Sequence, residues 1–147
     1  MNKRLLSDGV IELHLAKVER NFGIFPIIYF YDIFICGQTA IIGRCDYRVN
    51  KSQENYYAGN IGYMILPRYR GNHYAYRATK LLGRLARSLG AKAIYITCSP
   101  ENTASYRTIK KLNTEFIEEV AVPENHYLYR QGEKIKQIFL WRLDEAE

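Results

Sequence analysis

The chain has 147 residues, 48% of them hydrophobic and 24% charged, a composition that excludes disorder and, because its apolar runs are short, a membrane-spanning helix. Its length suits one domain with a substantial core and is too short for two typical ones, so residues 1–147 read as a single domain. The net charge of +6 attracts polyanions and leaves nucleic acid, anionic lipid and a phosphate-rich small molecule open. Residues 10–16 form the first expected strand, and residues 26–36 a longer aromatic and β-branched one that stops at Gly37-Gln38-Thr39. Residues 40–49 alternate, with Cys45, Tyr47 and Val49 on one face and Arg44, Asp46 and Arg48 on the other. A polar hairpin loop at 50–55 leads to a return strand at 56–66, closed by Pro67.

From Tyr74 the period changes. Ala75, Ala78, Leu82, Leu85, Ala86 and Leu89 recur at helical spacing, Arg77, Lys80, Arg84 and Arg87 form a basic stripe beside them, and Gly90 stops the helix. Residues 92–98 make a short strand with the apolar centre expected of a covered, parallel position. A helix over 102–112 follows, then strands at 114–122 and 135–143 joined by a loop at 123–134, and an acidic tail at 144–147. The order ββββαβαββ is an α/β (α+β) arrangement: a mixed, mostly antiparallel sheet of about seven strands with helices on both faces. At its centre is a βαβ unit over 56–98, whose strands are expected to lie parallel in one sheet.

Ligands of such units bind beyond the carboxyl ends of the strands. There the chain carries Arg68-Tyr69-Arg70-Gly71-Asn72-His73-Tyr74-Ala75, a basic loop running into a helix start. Free backbone N–H groups and the helix dipole make this an anion site. Cys36, Cys45 and Cys98 are widely spaced, which reads as reduced, mostly buried thiols and gives no metal or redox motif. The apolar stretch of a signal peptide is interrupted at Ser7, Asp8 and Gly9, so a cytoplasmic protein is expected.

The loop resembles the signature of the GCN5-related N-acetyltransferase superfamily, and more closely its small bacterial ribosomal-protein-acetyltransferase-like branch. Arg70 takes the first signature position, His73 stands where the central Gly is usual, and Ala75 fills the last. A second block, Asn102-Thr103-Ala104-Ser105 followed by Lys110-Lys111-Leu112 and Phe116, resembles the family's Asn-x-x-Ser helix, with Asn113 in place of the glycine that ends it. The resemblance covers about residues 41–143.

The resemblance implies a single-domain acetyltransferase fold with acetyl-CoA between the strands at 56–66 and 92–98, and no metal. The pyrophosphate would rest on the amides of Gly71, Asn72, His73, Tyr74, Ala75 and Tyr76, near Arg68, Arg70 and Arg77. Pantetheine would run along Tyr63, Met64 and Ile65. Asn102 would hydrogen-bond the pantetheine arm, and Ser105 would stabilise its helix.

The reaction would be direct acetyl transfer to a primary amine of a small molecule or peptide within a ternary complex. It needs an oxyanion donor, expected as a backbone N–H around residues 64–66, together with a base and an acid. The family's tyrosine acid is replaced by Ile109 and its strand carboxylate by Asn60, which can orient a water without accepting its proton at neutral pH. Glu54 lies ten residues from Met64, roughly 33 Å along extended strand, leaving Cys98 as the other candidate base. Residues 18–25 leave room for about one helical turn beneath the acceptor, which implies an open groove or one completed by a second copy in a homodimer. The competing readings are a non-catalytic acyl-CoA sensor of the same fold and a basic RNA-binding domain. Nucleic acid is disfavoured because no strand carries an RNA-recognition pattern.

Overall fold

The structure is a computed structural model and describes residues 2–22, 25–49 and 53–143. Strands β1 (Leu5–Ser7), β2 (Ile11–Phe22), β3 (Phe25–Ile35), β4 (Ile41–Arg48) and β5 (Ile61–Ile65) form one antiparallel sheet in which each strand pairs with its neighbour in the chain. A second antiparallel sheet holds β6 (Ala93–Cys98), β7 (Thr114–Ala121) and β8 (Ile135–Arg142) in the order β6-β8-β7. The described helices are α1 (Gln53–Ala58), α2 (Tyr74–Ser88), α3 (Thr103–Lys110) and α4 (Tyr127–Arg130).

Burial follows the alternation of apolar residues. On β4, Cys45 and Tyr47 are buried, whereas Arg44 is exposed. Helix α2 buries Ala78, Leu81, Leu82, Leu85 and Ala86 and leaves Arg84 and Arg87 outside. It also reaches the second sheet, because Gly83 lies against the Trp141 ring so closely that a Cβ there would sit 2.4 Å from it. One helix thus backs both sheets.

The seam between the sheets departs from the sequence expectation. Among the described residues no ladder joins β5 to β6, so the two strands of the βαβ unit lie in separate sheets, and each ladder is antiparallel. Their contact is concentrated on Asn60, just before β5. Its N–H donates to Tyr95 O at 2.8 Å, its Oδ1 accepts from Tyr95 N at 2.9 Å, and its Nδ2 donates to Arg48 O at 2.8 Å. Along its whole length, from Ala93 to Cys98, β6 pairs with β8 on its other edge.

Other boundaries shift for local reasons. Strand β2 continues to Phe22, where a helical turn was expected. Its exposed residues Lys17 and Arg20 belong to a hairpin arm paired with β3, with Val18 between them packed against the core. Gly23 and Ile24 lie outside the described residues, as do 50–52 of the expected hairpin loop and the tail at 144–147. Residues 53–58 are helical, and Gly59, at φ +79°, makes the left-handed turn into β5. The return strand is therefore shorter than 56–66. The loop at 123–134 contains α4, capped by the His126 ring accepting from Leu128 N at 3.1 Å.

Candidate functional site

Beyond Asn60 the two sheets part around a cleft of about 500 Å3, lined by β5, the loop after it, the start of α2 and one side of α3. It brings together Tyr63, Met64, Ile65, Arg70, Gly71, His73, Tyr74, Ala75, Asn102 and Ser105. Two of the cofactor candidates fall outside it. Asn72 turns its Nδ2 to Tyr69 O at 3.1 Å, and Tyr76 lines a neighbouring basic hollow with Arg77, Lys80, Arg84, His73 and Lys111.

Strand geometry orients the main chain of β5. Leu66 N–H donates to Ile42 O at 2.9 Å, so by alternation the polar groups of Met64 also face β4, and those of Tyr63 and Ile65 face the cleft. Of the three amides considered as oxyanion donors, that of Ile65 is the one turned inward. Ile65 O already accepts from Arg70 Nε at 2.8 Å, which fixes Arg70 along the wall.

At the mouth, His73 precedes α2 with φ +62°, in the left-handed region. This explains the usual glycine at that position, and histidine is among the residues that tolerate the conformation best. No side chain caps α2 and its first turn holds no acid, so first-turn N–H groups remain available at the positive end of a 15-residue helix. Lys111 reaches His73 Nδ1, and Arg107 lines the cleft beside it. These uncapped amides among cations fit a pyrophosphate. Sequence reasoning did not single out Arg107 and Lys111 as cleft residues; their signal was their position in the last turn and at the C-cap of the Asn-x-x-Ser helix.

Asn102 and Ser105 both line the cleft and are joined at the start of α3. Asn102 Oδ1 caps α3 by accepting from Ser105 N at 3.0 Å, while Ser105 Oγ meets Tyr63 OH at 2.7 Å. Burial pushes the Tyr63 phenol up, with the Ser105 and Thr108 hydroxyls pulling it back, so it stays neutral near pH 7. Ile109 is fully buried in the core.

The two candidates for proton chemistry are placed differently from the expectation. Asn60 is buried with both ends of its amide on main chain, a structural clamp rather than a water-orienting group. Cys98 is buried, lines neither the cleft nor the hollows beside it, and points its thiol at Gln137 Oε1, 3.5 Å away. Burial pushes that thiol up, with Lys136 only partly offsetting it, so it is not a thiolate near pH 7.

On the far side of the Tyr63–Ser105 contact lies a further well of about 350 Å3, which shares Tyr63, Asn102 and Ser105 with the cleft. Arg48, Tyr127, Gln131, Glu133 and Lys136 line it. None of these was a candidate from the sequence, because β4 is distant in the chain from α4 and the approach to β8.

The sequence profile described as "Acetyltransferase (GNAT) domain" matches residues 7–115. No curated protein matches the chain. Among solved structures, a GNAT-family acetyltransferase from Bacillus anthracis is similar with TM-score 0.61 and 20% identity, covering 79% of this chain and 67% of its own. A probable acetyltransferase from Chromobacterium violaceum gives TM-score 0.69 and 13% identity, over 97% and 88% of the two chains. RimL, a ribosomal-protein alpha-N-acetyltransferase solved with coenzyme A, gives TM-score 0.62 and 16% identity, covering 81% of this chain and 64% of its own. The chain thus spans about two-thirds of the length of the first and third of these proteins.

Proposed function

The chain belongs to the GNAT acetyltransferase family, and from that premise we propose that it transfers an acetyl group from acetyl-CoA to a primary amine within one ternary complex. The observation that supports this most is the cleft itself. It runs from a closed base at Asn60, past inward-facing amides on β5, to the uncapped start of α2.

Acetyl-CoA supplies the acyl group as a thioester. Arg70, Gly71, His73, Tyr74 and Ala75 receive the pyrophosphate, joined by Arg107 and Lys111. The basic hollow with Tyr76, Arg77 and Lys80 suits the remaining phosphate. Tyr63, Met64 and Ile65 form the wall for pantetheine, and Ile65 N–H is the oxyanion donor. Asn102 and Ser105 hold the junction where the thioester meets the amine. Tyr63, neutral and tied to Ser105, is placed to give a proton to the departing thiolate.

RimL acts on a ribosomal protein and binds coenzyme A, which keeps a peptide amine among the acceptors to be tested. Burial of Ile109 leaves the usual acid position empty of a proton donor, and this favours a second reading, a sensor that holds acyl-CoA without turnover. Saturating acetyl-CoA should raise the melting temperature, by the equivalent of about 2.7 kcal/mol at 100 times Kd. Gly71→Glu should abolish the shift by setting a carboxylate against the pyrophosphate. No shift in the folded wild-type protein removes the cofactor assignment. A shift without thiol release across an amine panel selects the sensor.

A further inference from the structure

The well beyond the Tyr63–Ser105 contact has a charge pattern that narrows the acceptor. Two ion pairs stand at its walls: Arg48 Nε to Asp46 Oδ2 at 2.8 Å, and Lys136 Nζ to Glu133 Oε1 at 2.8 Å. Neither is an ordinary surface pair. The Lys136 side chain is 8% exposed, and those of Asp46 and Arg48 are 17% and 21% exposed. Arg48 is further fixed by Nη1 donating to Ala58 O at 3.1 Å and Gly59 O at 3.2 Å.

The Arg48–Asp46 pair lies directly over Gly62 of β5. A Cβ on that residue would fall 2.5 Å from Arg48 Nη2 and 2.7 Å from Asp46 Oδ1, so the glycine makes room for the charges. Tyr127 joins the two pairs, since burial pushes its phenol up while Arg48, Glu133 and Asp46 all act on it electrostatically.

Of these four charges, Arg48, Lys136 and Glu133 line the well itself, so it presents both signs, two cations and one anion. A polyamine would bring only positive charge to a well that holds two fixed cations. A peptide N-terminus would bring an amine with no anion close behind it. A compact molecule carrying both an ammonium and a carboxylate matches both signs, and 350 Å3 lies at the lower end of the range for small-molecule sites, about 300–1,000 Å3.

We propose that this well binds the acceptor and that the acceptor is a small amino carboxylate, a free amino acid or a close analogue, with its ammonium on Glu133 and its carboxylate toward Arg48. That this molecule is the one acetylated rests on the reading above. The balance of the transfer is then that the ammonium gives up two protons, one to water and one that replaces the proton Tyr63 gives to the thiolate, as the N–C bond forms and the C–S bond breaks.

The test uses the full chain and begins without acetyl-CoA. Saturation-transfer NMR is recorded with the twenty free amino acids, their methyl esters, spermidine and an amidated alanine tripeptide. One or more free amino acids should bind. The matching ester should bind at least tenfold more weakly, and Glu133→Gln should weaken the free acid by about tenfold while leaving the acetyl-CoA thermal shift unchanged. In turnover the same amino acid should have a kcat/KM at least tenfold above spermidine and the tripeptide. Esters or tripeptide bound and acetylated as well as the free acids, or no amino acid bound at all, would overturn the proposal. If Glu133→Gln does not fold, the acid-against-ester comparison on the unaltered protein decides alone. Amino-acid binding that persists in a protein unresponsive to acetyl-CoA would keep the well's assignment and remove the acetyl-transfer reading instead.

Discussion

The same two strands are closed at one end and open at the other. At the base, Asn60 ties β4, the start of β5 and the middle of β6 together through its main chain and both ends of its amide. At the mouth, the described residues on the facing sides of β5 and β6 share no ladder, and the opening is lined by a left-handed histidine, an uncapped helix start and an asparagine cap on α3. The base is buried polar structure whose loss has no substitute. The mouth is wet, so its groups can exchange protein partners for water. The comparison teaches that stability should be concentrated at the base and ligand response at the mouth.

The largest expected effect is at the base. Asn60→Ala leaves the Tyr95 N–H and Arg48 O without these partners inside the protein, at about 1–3 kcal/mol each, so urea unfolding should show a loss of about 3 kcal/mol. A variant that kept full stability but lost turnover would break the comparison and return Asn60 to the chemistry of the acceptor. At the mouth, Asn102→Ala removes a helix cap and should cost about 1 kcal/mol, while Asn102→Asp, also a good cap, should restore it. An acetyl-CoA affinity that fell in both variants while stability recovered in the second would give Asn102 the pantetheine contact as well.

The smallest effect should come from His73→Gly. Relief of left-handed strain, about 1–2 kcal/mol, is set against the entropy of a new glycine, about 0.5–1 kcal/mol, and against the lost Lys111 contact. The melting temperature should therefore move little, by an amount equivalent to about 0.5 kcal/mol. A large change in either direction would mean that the mouth carries more of the stability than the comparison assigns to it.

Legibility followed the same division. The cleft was readable because a helix start and an Asn-x-x-Ser block are local patterns whose physics is carried by adjacent residues. Thus the signature residues Arg70, Gly71 and Ala75 all line the cleft. The base was not readable, since Asn60 owes its role to Arg48 and Tyr95, and no local pattern announces a side chain that bridges two sheets. The well was hidden for the same reason: Arg48 and the pair Tyr127 and Glu133 come from two segments far apart in the chain. The polar residues Lys17 and Arg20 concealed the far arm of β2, whose contact with the core runs through Val18 and its buried partner Tyr29.

The order of the first sheet has a kinetic consequence. Five strands that each pair with their chain neighbour need only short loops closed, and such local pairing is fast. The second sheet must await β8 before β6 has a partner, so the two sheets are expected to form apart and dock late. The Asn60 bridge would then be made after the rate-limiting barrier. Its removal should leave the refolding rate in stopped-flow experiments nearly unchanged, with a φ-value of about 0–0.3, and should express itself as faster unfolding. The residue that joins the sheets would thus govern how long the native molecule persists rather than how quickly it is reached.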